Sequence, residues 1–405
     1  VGSFISTRAQ QPINDPGAQL RIFENVLQHI QNDYVDEPNM DKVRSGAMRG
    51  LAYGLDPYST YLTADQVRDY NTAGKPNAVG IGAELSQVSA YLYVVAPIKG
   101  SPAELAGLRP GDVIEYIDTK ATRDISLYDA KQLLNGPAGS EVKLRVLRAN
   151  TRPNTITVKR GDFKVPAAEI RMEANRTGIL KVNSLADGES ADVRARLQDL
   201  IKQGAQRVVI DLRSVAGGSI NEAVAVANLF IKDGNLAQTI GREGKSIKVF
   251  TAEEKNFAFG GPLAVLIDNG TAGASEVIAA AVTERNRGDL VGERSFGAGT
   301  EQQLFKLRDG DGLLLTTVKW ASPNGKPFLG EDRSKSGLEP TVKVAKPDSV
   351  DASDIDGANG PEEEEPAPQP GDKREVTPEP KPTPPAEDIQ MKKALEILKD
   401  KVAVK

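Results

Sequence analysis

The stretch from Leu263 to Gln302 holds the residues whose order suits covalent chemistry. An apolar run, Leu263–Ile267, leads into a tight turn of small residues (268–274), and a helix is predicted to start near Ser275 and Glu276. A short strand (289–291) and a glycine-rich loop (296–299) follow. A strand that feeds a sharp turn into a helix presents one residue at a bend beside backbone N–H groups, a geometry suited to nucleophilic acyl transfer. Here the bend holds Gly273, which has no side chain to attack with. The nearby hydroxyls are Thr271, ahead of the bend, and Ser275, whose place at the helix start suits a cap. Lys306 and Lys319, on nearby strands, offer amines as bases. The single histidine, His29, lies in an N-terminal helical stretch, which argues against a Ser-His-Asp triad and for a surface residue.

Composition narrows the remaining classes. The net charge is −5 and the basic residues are scattered, so nucleic acid is not the expected partner. Without cysteine there is no disulfide, no thiolate metal site and no cysteine nucleophile. One histidine leaves only an all-carboxylate metal cluster, and no such cluster stands out; no metal or organic cofactor is expected. No run of about 18 apolar residues occurs, so the given chain is not expected to span a membrane. An upstream signal or anchor is compatible with its abrupt start.

The 405 residues divide into five segments, predicted as a multidomain α/β and β chain. Residues 1–75 read as a helical N-terminal region with an unstructured lead-in over 1–14. Phe23, Val26, Leu27 and Ile30 recur at helical spacing, Gly54 closes a second helix, and Thr63 caps a third. That small head needs a surface for its apolar stripe, either on its own chain or in a dimer. Residues 76–162 read as a β-rich module, and 163–346 as an α/β core with a mixed sheet. In the core, DLRSVAGGSINEAVAVANLFI carries the pair Gly217-Gly218 into a helix, and loops at the carboxyl ends of such strands converge, near Gly273 and Ala274. Residues 347–386 contain ten prolines and the run Glu362 to Glu365, a composition predicted to be disordered. In 387–405, Met391, Leu395, Leu398 and Val402 make a narrow helical stripe that suits docking on its own subunit or on a partner.

Two resemblances add to this reading. GSPAELAGLRPGDVIEYID, within the β-rich module, resembles a PDZ domain. That family binds a peptide C-terminus by strand addition, which implies a carboxylate-binding loop at Gly80, Ile81, Gly82 and Ala83 and a groove wall near 126–134. The order of helical head, PDZ module and core with DLRSVAGG, NGTAGASE and GERSFGAG resembles the carboxyl-terminal processing peptidases (tail-specific, S41-type serine peptidases) over residues 20–345. The resemblance implies a serine nucleophile at Gly273, a lysine base at Ala298, a glutamine orienting that base at Gln302, and oxyanion-hole N–H groups around Gly217, Gly218 and Ala274. The serine and the lysine are both replaced. A hydroxyl and a base must act together, so the expectation is an inactive homologue that binds peptide or protein C-termini as a scaffold or regulator. The alternative is an active serine-type endopeptidase using Thr271 or Ser275 with another base. An extracytoplasmic (periplasmic or envelope) location, a homo-oligomer formed through the terminal helices, and pairing with an active peptidase relative are further expectations.

Overall fold

The computed structural model describes residues 15–72, 78–88, 90–149, 151–346 and 387–400. The expected lead-in (1–14), the proline-rich segment (347–386) and Val402 lie outside the described residues. In the head, Asp15 accepts the Gly17 N–H and Pro16 opens α1 (Pro16–Asp33) where no hydrogen bond is lost. Helix α2 (Met40–Tyr53) follows and closes at Gly54. A capping box between Thr63 and Gln66 starts α3 (Ala64–Asn71). Helix α1 buries none of its residues, and Leu20, Phe23, Val26 and Leu27 stay exposed, so among the described residues nothing covers its stripe. His29 sits on that exposed helix against Asp33. The head is not purely helical: β1 (Thr60–Leu62), between α2 and α3, joins a sheet of the core.

The β-rich module contains β2 (Ala78–Val79), β3 (Ala83–Val88), β4 (Tyr91–Pro97), β5 (Val113–Ile117), β6 (Lys120–Ala121), β7 (Gly136–Pro137), β8 (Glu141–Leu147) and β9 (Asn154–Lys159). Two helices, α4 (Pro102–Leu105) and α5 (Leu127–Leu134), complete it. Strand order is β3-β4-β5-β8-β9, with β3 on the edge. Alternation in β8, where Val142, Leu144 and Val146 are buried and their neighbours are not, marks a sheet with one face on a core.

The core holds β10 (Glu169–Glu173), β11 (Thr177–Lys181), α6 (Glu189–Lys202), β12 (Arg207–Asp211) and α7 (Ile220–Ala227). After these come β13 (Asn235–Ile240), β14 (Ser246–Thr251), β15 (Leu263–Ile267), α8 (Ala274–Glu284), β16 (Asp289–Gly292), β17 (Thr300–Lys306), β18 (Gly312–Ala321) and β19 (Val342–Lys343). One sheet runs β10-β11-β12-β15-β16-β19, parallel except for β10. A second, antiparallel sheet runs β1-β18-β13-β14, with β17 paired to β18.

Strand periodicity explains the layers of the first sheet. Leu180, Val208, Ile210 and Val265 share one cluster with residues of α6, α7 and α8, whereas Ile179, Val209, Ala264 and Leu266 point to the other face. That second face needs its own cover, and α9 (Ile389–Asp400) supplies it with Met391, Ala394 and Leu398. Met391 and Leu398 of the C-terminal stripe are therefore buried on their own core, and among the described residues α1 is the terminal helix whose apolar face is uncovered. Polar anchors fix α9 in place: Arg213 bridges Asp211 (2.7 Å) and Asp388 (2.8 Å), and the buried Gln390 donates to the Val344 carbonyl.

Burial alone would raise the carboxyls of Asp211 and Asp388, but Arg213 outweighs it and holds both below the ordinary aspartate range. A carboxylate whose folded pKa is depressed stabilises the fold above its unfolded value, about 3.9, and that contribution is lost as pH falls through the folded value. Helix α9 is therefore expected to keep its hydrogen-exchange protection at pH 5. Below about pH 4 it is expected to lose protection ahead of the β12 and β15 amides.

Candidate active site

Three loops meet at the carboxyl end of β12 and β15. The turn after β15 is organised by Asp268, fully buried, which accepts from Ser214 N (2.8 Å), Gly270 N (3.1 Å) and Lys346 Nζ (2.6 Å). Burial acts to raise its carboxyl, and the Lys346 ammonium more than reverses that. The Ala272 N–H donates to the Val215 carbonyl (3.1 Å), and the Phe296 N–H to the Thr271 carbonyl (2.9 Å), so the loops at 212–218, 268–274 and 295–299 are laced together.

Gly273 has φ +65° and ψ −113°, the sharp strand-to-helix bend that the sequence pattern predicts. A Cβ placed there would stand 3.3 Å from the Gly217 carbonyl oxygen, close enough to require a shift of a few tenths of an ångström. The neighbouring hydroxyls are fully buried and in use. Thr271 Oγ1 donates to the Leu212 carbonyl (3.0 Å), and Ser275 Oγ donates to the Val215 carbonyl (2.8 Å). Ser275 does not cap α8 as expected, because Gly273 stands at the cap position and Ser275 ties the helix to the 212–218 loop instead.

The residue that unifies the site is Glu276, at the third helical position of α8 and fully buried. One carboxylate oxygen accepts from Gly273 N and Ala298 N, each at 2.8 Å; the other accepts from Gly297 N (2.8 Å) and Ser295 Oγ (2.5 Å). Positions 273 and 298 are thus held within hydrogen-bond reach of a single oxygen atom, side by side, although neither carries a functional group. Burial pushes the Glu276 carboxyl up, with the four donors pulling against it. A glutamate three residues after a glycine cap is a recognisable pattern, yet it does not announce that the carboxylate also reaches the 297–298 loop.

Gln302 is turned elsewhere. Its amide donates to the hydroxyls of Thr300 (2.7 Å) and Thr316 (3.2 Å), and Thr316 Oγ1 donates to Asp56 of the head. Lys306 pairs with Gly312 at the end of the β17–β18 ladder remote from Thr300, so it does not serve the bend. Lys319 lies opposite Thr300 and lines the cleft.

Gly217 and Gly218, at φ +75° and +87°, lie next to the bend. The Ala274 N–H is directed at the Gly217 carbonyl (3.1 Å) rather than into open space. A Cβ on Gly217 would be 2.7 Å from Glu84 Oε1, which places a β3 carboxylate directly over Gly217. A negative charge at that place opposes the build-up of an oxyanion. The module carrying Glu84 is seated on the site through Val88, Tyr93 and Val95, which pack with Ala272, Phe296 and Ala298. Tyr93 stacks on Phe296 at 5.4 Å between centroids. From the head, Tyr58 packs on the module's core; Ser86 Oγ meets its hydroxyl, and burial pushes the phenol up to about 12.

At the start of β3, the Ile81 and Gly82 carbonyls accept from Ala103 N (2.8 Å) and Ile98 N (2.9 Å). In a trans peptide the N–H points opposite the carbonyl, so the Gly82 and Ala83 N–H groups face away from the module body. Gly80 lies against the Asn135 side chain: a Cβ there would stand 2.9 Å from Asn135 Oδ1, which would have to turn aside. A cavity of about 480 Å³ opens between head, module and core, lined by Asp56, Ser86, Gln87, Val88, Phe296, Gly297, Thr316 and Lys319, with 329–333 and Ser336.

An elbow between strand and helix, a glycine pair beside it and a PDZ-like module seated above define the class: a serine-peptidase scaffold with a peptide-recognition domain. The comparisons give the family. The profile of peptidase family S41 matches residues 176–344, and that of the PDZ domain matches 93–148. The carboxy-terminal processing protease CtpA of Bacillus subtilis is 33% identical over 79% of this chain and 68% of its own. A probable CtpA-like serine protease of Staphylococcus haemolyticus is 31% identical over 85% of this chain and 68% of its own. Among solved structures, a photosystem II D1 C-terminal processing protease superposes with a TM-score of 0.66 at 26% identity, covering 80% of this chain and 86% of that one. The chain belongs to the S41 family of carboxyl-terminal processing peptidases.

Proposed function

We propose that this family member binds peptide without cutting it, acting as a scaffold or regulator that captures protein C-termini through the PDZ groove and the adjoining cleft. The observation that carries the reading is that the Gly273 and Ala298 N–H groups share one Glu276 oxygen, so that the positions we assign to nucleophile and base are adjacent and neither residue carries a reactive group. Loss of such a pair removes on the order of 10⁶ in rate. The alternative groups do not repair it: Thr271 and Ser275 are buried donors to backbone carbonyls, Lys306 is remote, and Lys319, although on the cleft, donates to the Leu329 carbonyl and has no free hydroxyl at the bend to activate. The charge of Glu84 over Gly217 works in the same direction. The outward N–H groups of Gly82 and Ala83 support C-terminal carboxylate capture at the Gly80–Ala83 loop.

Self-association through the uncovered face of α1, partnership with an active relative, and an extracytoplasmic location complete the proposal. Among the described residues no helix is long and apolar enough to cross a membrane. The test of binding is fluorescence anisotropy with a labelled decapeptide. The free acid is expected to bind at least about 10-fold more tightly than its C-terminal amide, and mass spectrometry is expected to recover the peptide intact. Equal affinity for acid and amide would remove the PDZ part of the reading.

A further inference from the structure

We infer that Lys319 is a ligand-binding residue of the cleft, and that it selects peptides carrying an acidic side chain upstream of the C-terminus. The inference rests on the peptide-binding reading and specifies which peptides fit. Lys319 Nζ makes one hydrogen bond, to the Leu329 carbonyl at 3.1 Å, and joins no ion pair among the described residues. An ammonium has three N–H donors, so two remain for a ligand in the cavity that Lys319 lines.

The acids around that cavity form no ion pair with Lys319 and are engaged elsewhere. Asp56 is saturated by Tyr58 N, Ser59 N, Ser59 Oγ and Thr316 Oγ1. Glu331 is paired with Lys335 at 2.6 Å, and Asp332 accepts from Ser334 Oγ and Lys335 N. Lys319 therefore keeps free N–H donors in a half-buried place, where a ligand carboxylate gains a charge-assisted hydrogen bond.

The strand order gives the direction of the ligand. Strand β3 is an edge, paired only with β4 among the described residues. A peptide added antiparallel to that edge puts its C-terminus at Gly82 and Ala83 and runs toward Val88. Ser86, Gln87 and Val88 line the cavity, so the chain enters it alongside them. With the chain end at Ala83, one peptide residue facing one strand residue, the side chains that reach the cavity begin about three to five residues before the C-terminus, opposite Ser86–Val88, and continue to about eight. The carboxylate meeting Lys319 is thus an internal Asp or Glu, not the chain end already held by the loop.

The experiment uses labelled decapeptides of Ser, Thr and Ala with a free C-terminal Ala and one Glu placed in turn at each position from about three to about eight residues before the end. Each has a Gln counterpart and an amidated form. On the unaltered protein, Glu→Gln at the best position is expected to weaken binding by about 10-fold or more. With Lys319→Met the Glu and Gln peptides are expected to bind equally, and with Lys319→Arg the preference is expected to persist; matched melting curves establish that both variants fold. A Glu preference unchanged in Lys319→Met overturns the proposal, as does its absence at every position on the unaltered protein. Indifference to amidation, with the Lys319-dependent preference intact, would instead sink the PDZ reading and leave the lysine site standing.

Discussion

The double variant Gly273→Ser/Ala298→Lys is expected to cleave a denatured protein at least about 100-fold faster than the unaltered chain, while each single variant stays at background. The two groups act as a unit, so restoring one alone supplies a hydroxyl without a base or a base without a hydroxyl. The scaffold is ready for both. Glu276 holds the two positions side by side, and the bend at Gly273 already has the φ and ψ of a strand-to-helix elbow. Recovery is expected to be incomplete for two reasons visible in the site. A serine Cβ at 273 crowds the Gly217 carbonyl at 3.3 Å, and the Ala274 N–H must leave that same carbonyl before it can serve an oxyanion. Adding Glu84→Gln to the double variant is expected to raise the rate further, since it removes the charge above Gly217. A triple variant slower than the double would show that Glu84 does not oppose the chemistry.

The second large effect is on stability. Glu276→Ala is expected to destabilise the core by about 5 kcal/mol or more, because it leaves three backbone N–H groups and the Ser295 hydroxyl without an acceptor, each at a cost of about 1–3 kcal/mol. In a melting experiment this corresponds to a drop on the order of 10 °C or more. Glu276→Gln keeps one acceptor oxygen and turns an amide toward the remaining donors, so it is expected to fall between the two. A Glu276→Ala protein melting within about 2 °C of the unaltered one would mean that the carboxylate does not hold the site together.

Much of this architecture was legible from sequence where a local signal decides the outcome. Asp15 with Pro16, Thr63 with Gln66 and the alternating β8 carry their own caps or periods, and Leu263–Ile267 followed by GTAGASE marks the elbow. Strands β13 and β14 were not legible: Ser246 to Thr251 leaves Ile247 and Val249 exposed on an edge strand, and its partner is β13, which itself is placed by pairing with β18. The role of β1 was hidden for the same reason, since three residues inside a helical head become a strand only because β18 receives them. At the site, the bend at Gly273 could be read from the strand-turn-helix pattern, but what surrounds it could not. Glu84 reaches Gly217 across a module boundary, and Glu276 looks like a simple cap until the 297–298 loop folds onto it. For Ser275, the local preference for capping lost to a tertiary hydrogen bond with the Val215 carbonyl.

The most direct measurement is turnover by the unaltered protein. The purified chain is incubated at stoichiometric concentration with a denatured, fluorescently labelled protein for a day, and fragments are read by mass spectrometry. The account predicts no fragments beyond those of the buffer control. Fragments that disappear with Thr271→Val or Ser275→Ala would contradict it, because they would show that a buried hydroxyl, now donating to a backbone carbonyl, serves as the nucleophile that Gly273 lacks.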